Sequence, residues 1–239
     1  MASVTEAIIL NSIKYSETSV IMKCYSQNYG ILSFIIKGVR SRKRTKFSLS
    51  SIEPLSVVEI EFNRLKKGEL SHLKNIKSIV IYDDLRFNII KSNIALFLAE
   101  FLSTVLRFQE ENTSLYQYIK DSLVTLDKIS KYENFHINFL INLLKFLGIK
   151  PEASNENCKF FDIENGIFKT INDSRYCVGG ELVIEFKKLL GINFDQYFEI
   201  LKTTNQRRNM TNFLMNYYKY HISGFKRPNS LEILNGLFS

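Results

Sequence analysis

A dense basic segment, residues 37–46 (KGVRSRKRTK), is the part of this sequence best suited to contact another molecule. Its six positive charges stand without an acidic side chain and belong to Lys37, Arg40, Arg42, Lys43, Arg44 and Lys46. Like charges this close repel one another, so the segment gains little by packing on itself, and a polyanion would relieve the repulsion. Nucleic acid is the commonest polyanion, which favours a nucleic-acid contact over a solvated loop without a partner.

Aromatic and further basic side chains extend this candidate site. Bases stack on exposed aromatic rings in proteins that bind single strands, and Tyr25 and Tyr29 flank a predicted turn where a ring can stay exposed. Phe34 and Phe47 are expected in the core instead. A predicted loop between strands adds a group that is either a phosphate contact or a plain solvated turn: Arg64, Lys66 and Lys67. A group in the C-terminal third is either a second nucleic-acid contact or plain surface charge: Arg207, Arg208, Lys226 and Arg227.

The positive charge is concentrated in the first third of the 239-residue chain. Residues 1–82 hold 13 Lys and Arg against 6 Asp and Glu, a net charge of +7 out of +8 for the whole chain. The remaining residues are therefore close to neutral. This asymmetry predicts an anion-binding N-terminal module joined to a near-neutral remainder.

Five short strand-like runs occupy the basic third, over residues 7–13, 20–25, 31–36, 55–62 and 73–82. The spacer at 27–30 (QNYG) has the Asn and Gly of a hairpin loop. In the fourth run, Val58, Ile60 and Phe62 alternate with Glu59 and Glu61, which predicts one buried and one solvated face. Five strands in this length predict a small antiparallel barrel or sandwich. The leading candidate is the five-stranded OB barrel, the usual small barrel that binds single strands.

After Asp83 the apolar residues recur every three or four positions, which predicts helices. They are expected over residues 85–108, 115–129, 135–147, 181–190, 194–201, 209–222 and 231–237. Residues 152–180 carry Asn, Asp and Gly turns and predict a small irregular or β-hairpin insertion. The chain is therefore predicted to be α+β, with a nucleic-acid-binding domain over residues 1–82 and a helical domain over 83–239.

The sequence contains no motif that indicates catalysis, metal binding or a nucleotide cofactor. No phosphate-binding loop is present, and no His, Asp or Glu cluster has ligand spacing. His136 and His221, at predicted helix ends, are expected to have capping or surface roles. Cys158 and Cys177 lack the two further ligands that a tetrahedral zinc site needs. Neither an enzyme nor a metal or cofactor is expected. The three cysteines and the lack of a long apolar run predict a cytoplasmic protein.

The motifs at both ends of the chain resemble those of the RecO family of bacterial recombination mediators. That family opens with the pattern "EAIVL…YxE…YGxLSxxxKG.R", and residues 6–10 (EAIIL), 15–17 (YSE), 29–33 (YGILS) and 37–40 (KGVR) stand at the matching places. Residues 218–234 are similar to its closing "YRxHLxGFKxxKSLxxL". The resemblance covers nearly the full length in the correct order.

The resemblance implies an OB-fold domain and then a helical domain with an inserted zinc-ribbon-like element. It also implies a protein that binds single- and double-stranded DNA, anneals complementary strands, works with RecR and helps load RecA onto single strands. Those strands are covered by single-stranded DNA-binding protein, whose acidic-hydrophobic tail docks on the helical domain. The helix over residues 135–147, with Lys145, is one candidate wall of the apolar slot that would hold this tail. Many members have four cysteines in the ribbon, where this chain has Cys158 and Cys177. A metal-free hairpin packed by Phe160, Phe161, Ile167 and Phe168 is expected instead.

Two other classes of function are compatible with the same residues. One is an RNA-binding OB-fold protein of translation or RNA metabolism, because phosphate contacts and base stacking serve RNA equally well. The other is a helical scaffold whose basic loop contacts a protein.

Overall fold

The computed structural model describes residues 2–41, 47–63, 70–107, 109–152, 157–191 and 200–237. Backbone contacts divide the chain into two compact units. Unit 1 is Met1–Lys128 with Pro228–Ser230, and unit 2 is Ile129–Arg227 with Leu231–Ser239. The two domains expected over residues 1–82 and 83–239 stay a prediction.

Unit 1 is built on a closed five-stranded barrel with the strand order β1-β2-β3-β5-β4. The strands are β1 (Ala2–Lys14), β2 (Val20–Ser26), β3 (Gly30–Ile36), β4 (Val57–Asn63) and β5 (Ser71–Ser78). All neighbouring pairs are antiparallel except β3 and β5, which run parallel. The OB-like barrel that the sequence predicts is confirmed.

Strand β1 closes the barrel because it is long enough to pair with two partners. Its first half, Ala2 to Ile8, pairs with β4, and its second half pairs with β2 across an irregularity between Ile9 and Asn11. The interior is filled by apolar side chains from all five strands, among them Phe34 and Phe62. The predicted alternation in β4 is confirmed, because Val58 and Ile60 are buried and Glu59 is exposed.

Two helices complete unit 1, α1 (Ile89–Val105) and α2 (Thr113–Lys128). The sequence predicted that α1 starts at residue 85. It starts later because the Asp127 carboxylate accepts hydrogen bonds from the backbone N–H groups of Asp83, Asp84 and Leu85, at 2.7–3.1 Å. The helix then begins directly after Asn88, whose side chain caps it by accepting from the backbone N–H groups of Ile90 and Lys91. Burial raises the pKa of Asp127, but these donors and Lys91 outweigh it and hold the pKa below its ordinary value.

Unit 2 contains α3 (Phe135–Phe146), α4 (Glu181–Gly191), α5 (Thr204–His221) and all but the first residue of α6 (Ser230–Leu237). Helix α5 begins five residues before its predicted start because Thr203 and Gln206 form a reciprocal capping box. Most of the helix predicted over 194–201 lies outside the described residues. Within the described ranges, no helix has the length and apolarity needed to cross a bilayer.

Helix α3 is buried on nearly every side, as its sequence predicts. The suggestion that this helix, with Lys145, is one wall of a docking slot for the tail stays a prediction. The histidine prediction is wrong for His136, which is buried with its Nε2 3.0 Å from Thr211 Oγ1. Burial lowers the pKa of His136 to about 3, so the ring is neutral. His221 Nε2 donates to the backbone carbonyl of Ile163 at 2.9 Å, so its ring joins two segments of unit 2.

The predicted insertion is a three-stranded antiparallel sheet in the order β7-β6-β8. The strands are β6 (Phe160–Asp162), β7 (Ile167–Lys169) and β8 (Cys177–Gly179). Phe161 is fully buried, and its ring packs edge-on or tilted against Phe168, Phe186, Phe213 and Tyr217 at centroid distances of 4.8–5.7 Å. The hairpin is confirmed, and its likeness to a zinc ribbon stays a prediction.

Candidate nucleic-acid interface

The described start of the basic segment lies at one end of the barrel, which we call the open end (residues 14–19 and 37–41). There the turn between β1 and β2 contacts the chain that leaves β3. The backbone N–H of Arg40 donates to the carbonyl of Thr18 at 3.2 Å, and Gly38 turns the chain with a φ of 74°. The side chains of Lys14, Lys37 and Arg40 are all exposed.

The open end also carries an exposed aromatic ring that the sequence-based site did not include. Tyr15 is 60% exposed, and its backbone N–H donates to the Ser19 carbonyl at 3.0 Å, which fixes it at the edge of the turn. Glu17 is an acidic exposed residue of the same turn. An aromatic ring beside three exposed cations is the combination that binds single strands, because the ring takes a base while the cations take phosphates.

Four predicted basic residues of the segment lie outside the described residues: Arg42, Lys43, Arg44 and Lys46. The same holds for the three residues of the predicted loop group, Arg64, Lys66 and Lys67. Phe47, which follows the segment, packs partly buried against the barrel core. The described part of the segment, residues 37–41, lies at the open end.

An apolar row crosses the outer surface of the barrel next to the open end. The strand register places Ile13 opposite Ile21, Ile21 opposite Ile35, and Ile35 opposite His72. Ile13 is 60% exposed, His72 is exposed and the other two are half-buried. Directly opposite residues on neighbouring strands share one face of a sheet. The barrel thus presents a continuous apolar strip that leads away from the exposed cations.

A second row on the same outer surface is polar and holds one cation. It consists of Asn11, Lys23 and Ser33, which the register places side by side. Burial, with a smaller contribution from the nearby Arg107 charge, lowers the pKa of Lys23 from its ordinary value.

Tyr25 does not fit its predicted role as a stacking residue. The sequence argument expected the ring to stay exposed beside the turn, but Tyr25 is fully buried. Its hydroxyl lies 3.3 Å from the carbonyls of both Glu110 and Asn112. Burial raises the pKa of Tyr25 to about 12. The ring is held under the segment between α1 and α2, so no base can reach its face.

Tyr29 is exposed but stands at the wrong end of the hairpin. It is 43% exposed, and its ring meets the Phe62 ring edge-on at a centroid distance of 5.5 Å. The turn that holds it is separated from Lys37 by the whole of β3 (Gly30–Ile36), roughly 23 Å at 3.3 Å per residue. The sequence argument placed the basic segment close to Tyr25 and Tyr29, and for its described start, residues 37–41, this placement is wrong.

The candidate second contact, in unit 2, is divided by the structure. The guanidinium of Arg207 is half-buried and donates to the carbonyls of Leu201 and Lys202 at 3.3 Å, so it stabilises the start of α5. Arg208, Lys226 and Arg227 are exposed. Arg227 donates to the side chain of Asn212, which stands one helical turn after Arg208.

The ribbon cysteines sit in different surroundings. Cys158 is buried, whereas Cys177 is half-buried with its Sγ 3.7 Å from Asp173 Oδ1. Across the described ranges, no three His, Cys, Asp or Glu side chains converge on a point that could hold a metal ion.

Comparison with known proteins gives the same result for both parts of the chain. The family model described as "Recombination protein O N terminal" matches residues 1–82, and the one described as "Recombination protein O C terminal" matches residues 86–231. The chain is 35% identical to a DNA repair protein RecO of Christiangramia forsetii, over 98% of both chains. It is 32% identical to that of Flavobacterium psychrophilum over 98% of both chains, and 30% identical to that of Bacteroides fragilis over their full lengths. This chain therefore belongs to the RecO family of DNA repair proteins.

Proposed function

We propose that the chain is a recombination mediator that binds single- and double-stranded DNA and anneals complementary strands. In this role it helps load the recombinase RecA onto single strands that are covered by single-stranded DNA-binding protein. It works without covalent catalysis, a metal or a nucleotide cofactor. In this role residues 1–82 bind DNA, and residues 83–239 add further contacts.

One observation carries this proposal: the basic segment starts at the open end, beside Lys14 and Tyr15. Arg40 is held there by its backbone hydrogen bond to Thr18, with its side chain exposed. Cations in this arrangement neutralise the phosphates of a strand and release counterions. Two complementary strands brought to such a site repel each other less, and this lowers the barrier to annealing.

The direct test is annealing of complementary oligonucleotides, bare and coated with single-stranded DNA-binding protein. Changing Arg42, Lys43 and Arg44 together to Ala should weaken binding to all DNA sequences alike and lower the salt slope by up to about three units. Three exposed lysines outside the barrel, Lys128, Lys131 and Lys188, provide a control variant with the same loss of charge. An unchanged affinity and salt slope in the segment variant would rule out this segment as the DNA contact.

RNA binding and protein scaffolding are separated from this proposal by two simple measurements. Competition between single-stranded DNA and RNA of equal sequence tests the RNA alternative, since a stronger RNA competitor would favour it. Failure of the purified chain to retain or anneal oligonucleotides at low salt would favour the scaffold.

The proposal includes two protein partners, RecR and the C-terminal tail of single-stranded DNA-binding protein. An acidic-hydrophobic tail needs an apolar slot with a cation at its mouth. Unit 1 has a groove of about 270 Å³ whose apolar lining comes from Tyr82, Leu85 and Leu96. Arg86 stands at this groove in an ion pair with Glu53 at 2.7 Å.

The groove is tested with a fluorescent peptide that carries the tail sequence. Leu96→Asp should reduce binding of the peptide at least tenfold, because a charge in the slot opposes both the apolar and the acidic part of the tail. Ile184→Asp, at an exposed position of α4 in unit 2, is the matched control. Equal peptide affinity in both variants would remove the groove from the proposal.

A further inference from the structure

The exposed face of α5 in unit 2 has no acidic residue. The whole helix, Thr204–His221, contains neither Asp nor Glu. Residues three and four positions apart share a helix face, and one face of α5 collects a polar, cationic and aromatic set: Asn205, Arg208, Asn209, Asn212, Asn216, Lys219 and Tyr220. All are exposed except Asn212, which is half-buried. This face covers roughly a third of the helix circumference.

An aromatic corner stands at the C-terminal end of this face. Tyr220 is 48% exposed, and its ring meets the ring of Tyr176 at a centroid distance of 5.6 Å and an angle of 75°. Tyr176 is half-buried and belongs to the turn before β8. The guanidinium of Arg175 lies over the ring of Tyr176, 4.7 Å from the ring centroid. Tyr220 is therefore braced by a T-shaped contact, and its exposure leaves part of the ring surface open to a flat partner.

Cations lie on this face and beside it. Lys219 precedes Tyr220 on the helix, and Arg227 donates to Asn212 from the segment that follows α5. Two exposed carboxylates of the insertion, Glu164 and Asp173, interact with Arg175 and Lys169 respectively. The described helix face itself is positive.

We propose that this corner stacks one unpaired base of single-stranded DNA on Tyr220, with the neighbouring phosphates along the α5 face. Arg, Lys, Asn and Tyr side chains are common donors to phosphate and sugar oxygens. An exposed tyrosine ring that is already braced binds a base at little cost in side-chain freedom. A duplex offers no unpaired base, so the corner distinguishes single from double strands. The inference rests on the proposed function and extends it to a second, separate contact.

The test uses the full chain and a thymidine oligonucleotide with 2-aminopurine at one central position. Tyr220→Ala should lower the affinity for the single strand about tenfold and abolish the additional quenching of 2-aminopurine on binding, while duplex affinity stays unchanged. Tyr220→Phe should restore both, because stacking needs the ring and not the hydroxyl. Lys219→Ala should weaken both forms about threefold, whereas Lys188→Ala on α4 should weaken neither.

The outcomes separate this inference from the proposed function. If wild type binds and anneals DNA but Tyr220→Ala equals it in single-strand affinity and quenching, the corner is not a base site and the proposed function stands. If wild type binds no DNA at low salt, both fail. If Tyr220→Ala weakens duplex binding as much as single-strand binding, the residue contributes without stacking and the inference is overturned.

Discussion

The two ends of the β2–β3 hairpin have similar sequence signals and opposite environments. At the turn end, Tyr25 is buried and Gly30 lies against the backbone of residues 109–110. At the open end, Tyr15 and Lys37 are exposed to solvent. Both ends carry tyrosines beside a turn, yet one ring stabilises the fold and the other is available to a ligand.

The difference arises from what covers each end. The segment between α1 and α2 lies over the turn end, where Gln109 O accepts from the backbone N–H of Ile31 at 3.3 Å. At the open end, the described neighbours are the β1–β2 turn and the start of the basic segment itself. An aromatic residue near a turn therefore indicates a binding site only when no later part of the chain packs on it.

Gly30→Ala should have the largest effect and tests the covered end. An added Cβ would stand 2.6 Å from Gln109 O and 2.7 Å from the Glu110 carbonyl carbon, at a φ of 65°. Overpacking against backbone together with the positive φ should cost about 3–5 kcal/mol of unfolding free energy. Urea unfolding measures it. Gly180→Ala, with a φ of 77° and nothing within 4 Å, should lose only about 1 kcal/mol. Equal losses would show that the turn end is not tightly covered.

Lys37→Ala with Arg40→Ala tests the open end. The double variant should bind DNA about tenfold more weakly near 0.1 M salt, and its salt slope should fall by about 1.4–1.8 units for two lost phosphate contacts. Its urea midpoint should match wild type, because both side chains are exposed. Lys128→Ala with Lys131→Ala removes the same charge elsewhere. If this control weakens binding equally, net charge rather than the open end attracts DNA.

Tyr15→Ala sharpens the comparison between the two tyrosines. Loss of one stacking ring should weaken single-strand binding about fivefold to tenfold and leave duplex binding and stability unchanged. Fluorescence anisotropy with single- and double-stranded forms of one oligonucleotide measures this. Tyr15→Phe should behave as wild type. A drop in stability instead of affinity would mean that Tyr15 is structural, as Tyr25 is.

Tyr25→Phe should have the smallest effect. Removing the hydroxyl leaves the carbonyls of Glu110 and Asn112 without this donor and should cost about 1 kcal/mol, with no change in DNA affinity. The pKa of Tyr25 is about 12 in the folded protein against an ordinary 10. The contribution of its hydroxyl to the free energy of unfolding is therefore complete below pH 10 and is lost as the pH rises towards 12. The difference in urea midpoint between wild type and variant should therefore shrink over that range. Weaker DNA binding by Tyr25→Phe would contradict the buried role.

The local sequence pattern was sufficient to predict the secondary-structure elements. It was insufficient to predict which of their side chains other parts of the chain cover. The alternation of Val58, Ile60 and Phe62 predicted β4 because a half-buried strand repeats every two residues. The same alternation points Met22 and Cys24 into the barrel and Tyr25 out of it. Tyr25 is nevertheless buried, by residues 85 and 87 positions later in the chain. No local pattern can show a cover that distant.

The candidate site was likewise predicted in part. Charge density alone identified the basic segment, since six cations in ten residues need no fold to be noticed. Its neighbours depended on strand register, which brings Arg40 to Thr18 rather than to Tyr29. Tyr15 could have been recognised from its alternation with Asn11 and Ile13, had β1 been extended to Lys14. The start of α1 was missed because Asp127, on another helix, binds the preceding backbone.

The parallel contact between β3 and β5 has a consequence for folding kinetics. Within the described residues, two pairs join these strands, Phe34 with Ser71 and Ile35 with His72. The β1–β2, β2–β3 and β1–β4 edges have seven pairs each. So short a ladder contributes fewer backbone hydrogen bonds than the other edges do. We expect this junction to form last during refolding and to open first in the native state. Amide protons at the start of β5 should then exchange faster than those in the middle of β1, and the lifetime of the closed barrel is set at this junction.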